Sequence, residues 1–510
     1  MKLSLKILLT VISGALILGG SSCKKVLDNM AELNNNENNP LKASSATLLT
    51  AAEFSGVMAD EGSFISATVA GGDGDGFLGI FNQHFAGNHA EGVDFNQYIL
   101  KHGDFQFLFN DAYVSSLKNL QQLIANVRPD ESVAYIAIAE ILEGYQLGYL
   151  TSVYGDIPWS QALDIVKYPN PKYDAQVGIY TSVQNLLIDA IGRLNTAISN
   201  GDAINGDIIY SGALDKWQAC AYLLRARFYN HFSKKDPTGS ATSALLMVDS
   251  AKLAGFTTYG DAANFVLPYD GKTAFTTNPW YGMWQNGMLA ANVVFLDSML
   301  SQNDPRLNAY FTSINGVTGD SVYGLGKAIS GVVGNGDYMG IGPDKWSYFG
   351  QITSSVEMAT YPELLMIEAE AALRAGNPTR AAAAHNAAIT DQVNAVLSLP
   401  ASQASDKALV PAYLAKYASE TAATITLEKI MTEKHKLMFS MEAESWMDVR
   451  RMNYAYPRWL TIPVVDETVA SPVPVASQFI QRLLYPQSEL DKNGANVPSA
   501  TIFDKLPILQ

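Results

Sequence analysis

The chain has 510 residues, 48% of them hydrophobic, enough for a large core. Charged residues make up only 16%, and 49 acidic against 34 basic side chains leave it at −15. That balance, with no Lys/Arg-rich run beyond the first 30 residues, excludes a nucleic-acid binder, which needs a basic stripe to displace counterions from phosphates.

The N-terminus reads MKLSLKILLTVISGALILGGSSC. Lys2 and Lys6 precede a mostly apolar stretch, Ile7 to Leu18, too short to span a bilayer comfortably. Residues 1–22 are read as an export signal and set aside from the fold. Small residues lead into Cys23 as in a bacterial lipobox, although Gly20 stands where leucine is usual. Cys23 is therefore expected to be acylated and to become the new N-terminus. Acyl chains contribute about 0.8 kcal/mol per buried CH₂, so several of them anchor stably. The second cysteine, Cys220, sits in a helical pattern and is expected to be a small buried hydrophobe.

Residues 23–45 are Asn-rich and polar and read as a tether. From 46 to 510 a single domain is expected, and helices dominate it. AYVSSLKNLQQLIANV (112–127) carries Val114, Leu117, Leu120 and Ile124 at helical spacing. Further helices are read at 133–155, at 177–201 with Gly201 as the stop, at 214–232 and at 243–256. Asp236-Pro237-Thr238-Gly239 reads as a turn. YPELLMIEAEAALRAGNPTRAAAAHNAAI (361–389) is the clearest pair. Gly376 suits a C-terminal cap, and Asn377-Pro378 suits the cap and first turn of the next helix. The fold class is mostly α: degenerate tetratricopeptide-like hairpins around 112–155, 177–232, 214–256 and 361–389, packed against an irregular loop-rich half. The segments 257–281, 312–350 and 461–510 supply the loops.

Four stretches, in this order, resemble the SusD/RagB family of surface lipoproteins. They are SVYGDIPWSQAL (152–163), YPELLMIEAEAALRAGN (361–377), IMTEKHKLMFSMEAESWMDVRRMNYAYP (430–457) and RLLYPQSELDKNGANV (482–497). The variant is similar to the second SusD-like subgroup. Lys24-Lys25 after Cys23 departs from the more usual acidic surface-export signal. The resemblance implies a lipid-anchored outer-membrane protein facing the cell exterior. It implies a lid on a SusC-like TonB-dependent transporter that passes it oligosaccharides; the family also includes lids for oligopeptides. It implies no enzyme and no cofactor, with a catalytic lipoprotein such as a glycosidase as the less favoured reading.

The residues themselves weigh the same alternatives. Asp156 has no histidine or second carboxylate within four residues, whereas a glycosidase needs two carboxyls across the scissile bond. Gly155, Asp156, Pro158 and Trp159 read instead as a turn, with Asp156 bonding local backbone. In EAESWMDVRR (442–451) the charges read as ion pairs fixing a helix. Asp73 and Asp75 in GGDGDGF hint at calcium, but the remaining ligands are out of register. His84, His89 and His102 lack the i, i+4 spacing of a zinc site, so no metal is expected. Sugars stack on aromatic rings. Trp280 and Trp284 share a helix face, Trp346 and Tyr348 flank a glycine-rich loop, and Phe81, Phe95 and Tyr98 accompany Asn82, Asn88 and Asn96. Core packing is the competing reading for each group, and at least one group is expected to form the binding face.

Overall fold

The computed structural model describes residues 43–60, 74–87, 91–260, 262–273, 276–285, 289–313, 338–339, 347–399, 402, 404–462 and 478–510. Residues 1–42, with the expected signal, Cys23 and most of the tether, lie outside the described residues.

The chain enters helix α1 (Ser45–Asp60) and then α2 (Asp75–Phe81), followed by strand β1 (Phe85–Gly87). The segment expected as one helix over 112–127 is a π-helix over Ala112–Leu117 that runs into α3 (Lys118–Asn126). Then come α4 (Ala134–Tyr154) and α5 (Gln176–Asn200), which pack along each other, and α6 (Leu214–Asn230) paired with α7 (Pro237–Leu253). Strand β2 (Phe265–Leu267), β3 (Leu289–Ala291), α8 (Val293–Ser301), β4 (Thr312–Ser313), β5 (Tyr338–Met339) and β6 (Val356–Ala359) form the irregular half. The chain closes with α9 (Tyr361–Arg374), α10 (Pro378–Val396), α11 (Ala404–Tyr417), α12 (Leu427–Leu437) and α13 (Glu442–Arg451). The fold is mostly helical, with the tetratricopeptide-like pairs α4/α5, α6/α7 and α9/α10.

Local chemistry explains most boundaries. Gly201 at φ +71° ends α5, and Gly376 at φ +75° follows α9, a left-handed turn that favours glycine. Thr360 and Glu363 form a reciprocal capping box at the start of α9. Asn377 accepts from the Arg380 amide with Pro378 in the first turn of α10. One expectation is corrected here. The Asp236-Pro237 stretch is not a free turn before a helix at 243; α7 already begins at Pro237, because the Asp236 side chain accepts from the Gly239 amide.

Helix α4 is buried on nearly every face. Gly148 is what allows it to lie against α6, since a Cβ there would come 2.2 Å from the Phe228 ring. The polar side chains of α4 are paired: Glu140 with Arg193, Glu143 with Gln121, and Gln146 with Ser116. Cys220 is buried and unpaired, as expected, and burial pushes its thiol up to about 12. In the irregular half an antiparallel sheet runs in the order β1-β3-β5-β4, with Phe85 opposite Ala291. A second pair joins β2 to β6. Among the described residues, no helix is long and apolar enough to cross a membrane.

Candidate ligand-binding face

The loop after α4 is a clamp. Gly155 takes φ +85° and ends the helix. Asp156 bonds forward rather than locally: its Oδ1 accepts from the Gln176 amide at 2.8 Å and so caps α5. The local-backbone expectation for Asp156 is corrected accordingly. Ile157 bridges to Asp174, whose carboxylate also accepts from the Trp159 and Ser160 amides. The closing motif seals this turn. Tyr485 donates to the Asp156 carbonyl at 2.9 Å, Leu483 donates to the Val153 carbonyl at 2.9 Å, and Arg482 donates to the Tyr154 carbonyl.

The charged run of α13 is a second clamp. Arg451 grips Glu370 of α9 with two bonds, at 2.7 and 2.9 Å, and also reaches Asp448. Burial alone would raise the Glu370 carboxyl, but Arg451 holds it well below the usual carboxylate range. Glu444 accepts from His231 at 2.8 Å; against the upward push of burial, His231 and Arg227 bring it down to about 2. Arg227 makes a bidentate pair with Glu363 at 2.6 Å on each arm. Arg450 lies 3.8 Å from the Trp446 ring centre. These charges join α6, α9 and α13 and are closed to an incoming ligand.

The early acidic and histidine residues are also structural. Asp75 accepts from Tyr149 and from the amides of Glu442 and Ala443. Burial first, then the Glu442 charge, raises its carboxyl to about 7. Glu442 takes Asn82 at 2.6 Å and His84 at 2.7 Å, and burial lifts it to about 8. Burial lowers His84 to about 3. Asp73 and His89 lie outside the described residues.

Of the seven aromatic candidates, four are core. Phe81 is fully buried against Phe95, Tyr98, Phe105 and Trp446, with ring centroids 5.2–6.4 Å away. Phe95 meets Phe77 edge-on at 5.1 Å. Tyr98 is buried within the same cluster. Trp280 is 3% exposed and packs on Phe85 at 5.5 Å. A ring enclosed in this way has no face to offer a sugar, so for these four the core-packing alternative holds. Their asparagines agree: Asn96 makes two 2.8 Å bonds to the Gly87 backbone. Trp284 belongs to the helix Pro279–Gln285, but its side chain and all of Trp346 lie outside the described residues.

Tyr348 differs. It is half-buried, stacks on Tyr259 at 6.3 Å with planes 22° apart, and meets Phe349 edge-on at 4.9 Å. Tyr259 is held by a 2.6 Å bond to Glu357 on β6. Asn278 fixes the approach. Its amide donates to the Phe349 and Ser354 carbonyls, and its oxygen accepts from the Trp280 and Tyr281 amides. Tyr281 is half-buried on the same helix start. Sequence reasoning missed Tyr259 and Tyr281. The Asn278-Pro279 cap is the signal for Tyr281, and no local pattern marks Tyr259. The arrangement stacks two tyrosines beside a carboxylate that is already engaged.

A family model, SusD-like_2, described as starch-binding associating with outer membrane, matches residues 38–486. A solved chitin-binding protein is 25% identical, with a TM-score of 0.67 over 89% of this chain and 95% of its own. A SusD homolog from Bacteroides fragilis NCTC 9343 superposes with a TM-score of 0.71 at 19% identity, over 92% of this chain and 100% of its own. A chitin-binding SusD homolog from Flavobacterium johnsoniae gives 0.68 at 19% identity, over 87% of this chain and 94% of its own. At 19% identity the last two show the fold alone. No curated protein matches the sequence. With its four signature stretches tied together in two pairs, and the family model spanning most of its length, the chain belongs to the SusD-like_2 family.

Proposed function

We propose that the protein is a cell-surface nutrient-binding lipoprotein that captures oligosaccharides and delivers them, uncleaved, to a SusC-like TonB-dependent outer-membrane transporter. The observation that carries this reading is the Tyr348 ring, half-buried and stacked on Tyr259 within the loop-rich half. Aromatic faces of this kind stack on the C–H faces of sugars at low entropic cost. Trp284 and Trp346 are proposed from the sequence as further rings for the ligand. Membership of a family described as starch-binding, and likeness to a chitin-binding protein, favour a glycan over a peptide. Turnover is not part of the proposal, because the buried carboxylates described above are tied into the framework by arginine, histidine, asparagine or backbone donors. Acylated Cys23 would hold the protein at the membrane.

Calorimetric titration with chito- and malto-oligosaccharides tests the reading. Tyr348→Ala should weaken binding of the preferred chain by on the order of 1–3 kcal/mol, as truncation of a binding hot spot does. Unchanged affinity in this variant and in Trp346→Ala and Trp284→Ala would remove the tyrosine face. Replacement Cys23→Ala should move the protein from the membrane to the soluble fraction; retention in the membrane would contradict the anchor.

A further inference from the structure

A second concave site, which shares no lining residue with the tyrosine face, lies where the end of α8, the middle of α10, the end of α11 and the start of α12 meet. Its volume is about 610 Å³, inside the roughly 300–1,000 Å³ range of small-molecule sites. Behind its Glu433 wall lies a closed charge network. Arg306 pairs with Asp304 at 2.6 Å, Lys436 pairs with Glu433 at 2.5 Å, and the Tyr413 hydroxyl donates to Asp304 at 2.7 Å. The rim is stapled as well. Asn386 accepts from the Glu420 amide and donates to its carbonyl, and Lys429 pairs with Glu420 at 2.7 Å.

Between this network and the rim stand polar groups that the fold does not use. Gln302 spends its carbonyl oxygen on Lys436 at 2.9 Å. Its amide nitrogen has no hydrogen-bond partner among the described residues. The same is true of the Thr432 and Tyr417 hydroxyls, and the exposed Lys416 lies 4.8 Å from the centre of the Tyr417 ring. His385 is 1% exposed and lines the pocket, and its enclosed Nε2 makes no well-formed hydrogen bond. Burial holds its pKa below the ordinary histidine value, against the pull of Glu433, Asn386, Glu420 and the Lys429 carbonyl. Buried polar atoms without partners are rare because they cost free energy. Here one sits against several half-buried ones around a single cavity.

We infer that this pocket is a second saccharide site, taking one or two units of a neutral sugar. The charge balance argues for neutrality. Lys416 and Lys429 face Glu420 and Glu428, and Glu428 is in turn paired with Arg458. A lone anion or cation would meet as much repulsion as attraction. Sugar hydroxyls both donate and accept, which matches a wall of amide, hydroxyl, ammonium and imidazole groups. The inference takes the choice of a sugar from the proposed function, but it rests on different residues.

Two isosteric changes isolate the site. Gln302→Glu keeps the oxygen that Lys436 needs and deletes the free N–H donors. Thr432→Val deletes the hydroxyl at constant shape. The measurement is hydrogen exchange of the full mature chain with N,N′-diacetylchitobiose or maltose, with affinity from calorimetry. One disaccharide should protect residues 414–433, and the double variant should bind it at least tenfold more weakly at an unchanged melting temperature. Tyr348→Ala should leave that protection intact. Absence of protection with both disaccharides, or protection that survives the double variant, overturns the inference. Failure of the tyrosine face reads out separately, as long-chain affinity unaffected by Tyr348→Ala.

Discussion

The phenol of Tyr485 donates a 2.9 Å hydrogen bond to the backbone carbonyl of Asp156, across 329 residues of chain. Its ring lies 6.3 Å from Tyr154 and nearly parallel to it, and the Arg482 guanidinium sits 4.7 Å from its centre. The most recognisable loop of the sequence is therefore a joint between the first long hairpin and the C-terminal tail. Tyr485→Phe should cost about 1 kcal/mol, the net value of one hydrogen bond. Tyr485→Ala should cost about 3–5 kcal/mol, as for a buried aromatic. Urea unfolding checks both, and glycan affinity should stay at the wild-type value in Tyr485→Phe.

The Arg451–Glu370 pair is buried on both sides. Removing one partner strands the other charge, so Glu370→Ala should destabilise by about 3–5 kcal/mol. Asn230 would lose this acceptor and Arg451 two of its bonds, keeping those to Asp448 and Ser233. A loss below about 1 kcal/mol in chemical unfolding would show that this clamp does not hold α9 to α13.

Stability should fall as pH rises from 6.5 to 8.5. Burial raises Glu143 and Glu442 to about 8 and Asp75 to about 7. In this window these carboxyls are ionised in the unfolded chain and still partly protonated in the folded one. The folded state then binds more protons, and unfolding free energy decreases with pH by about 1.4 kcal/mol per unit for each proton of difference. The contribution is fully present below the unfolded values and is lost on passing the folded ones. His84 opposes it only at lower pH, where burial has taken its pKa down to about 3. Glu143→Gln, which retains an oxygen for Gln121, should flatten part of the slope in a melting series; an unaltered slope would contradict the assignment.

Trp280 and Tyr348 should separate core from face. Trp280→Ala should lower stability by about 3–5 kcal/mol, because the ring fills the space beside Phe85. Tyr348→Ala, at a half-buried ring, should lower stability by less than Trp280→Ala does. The reverse pattern would exchange their roles.

Helical periodicity and capping residues made the long helices legible, because α5, α9 and α10 carry their own stop and start signals in Gly201, Gly376 and Asn377-Pro378. The start of α7 is not legible, because Asp236-Pro237 serves a turn and a helix cap equally well. The binding face was harder. Phe81 and Trp280 carry the same ring chemistry as Tyr348, and only packing tells a fully enclosed ring from a half-buried one. The polar pocket at Gln302, His385 and Thr432 joins residues from four helices. No local spacing marks it, since its partners meet only through tertiary packing.

The central claim is capture of an oligosaccharide without cleavage. The most direct measurement incubates the purified mature chain with chito-oligosaccharides, malto-oligosaccharides and oligopeptides of matched length, recording binding heat and chain length together. The account expects saturable binding of one glycan series, no binding of the peptides, and chain lengths unchanged after prolonged incubation. Shortened glycan chains whose production stops on replacing a single carboxylate, or binding of peptides alone, would contradict it.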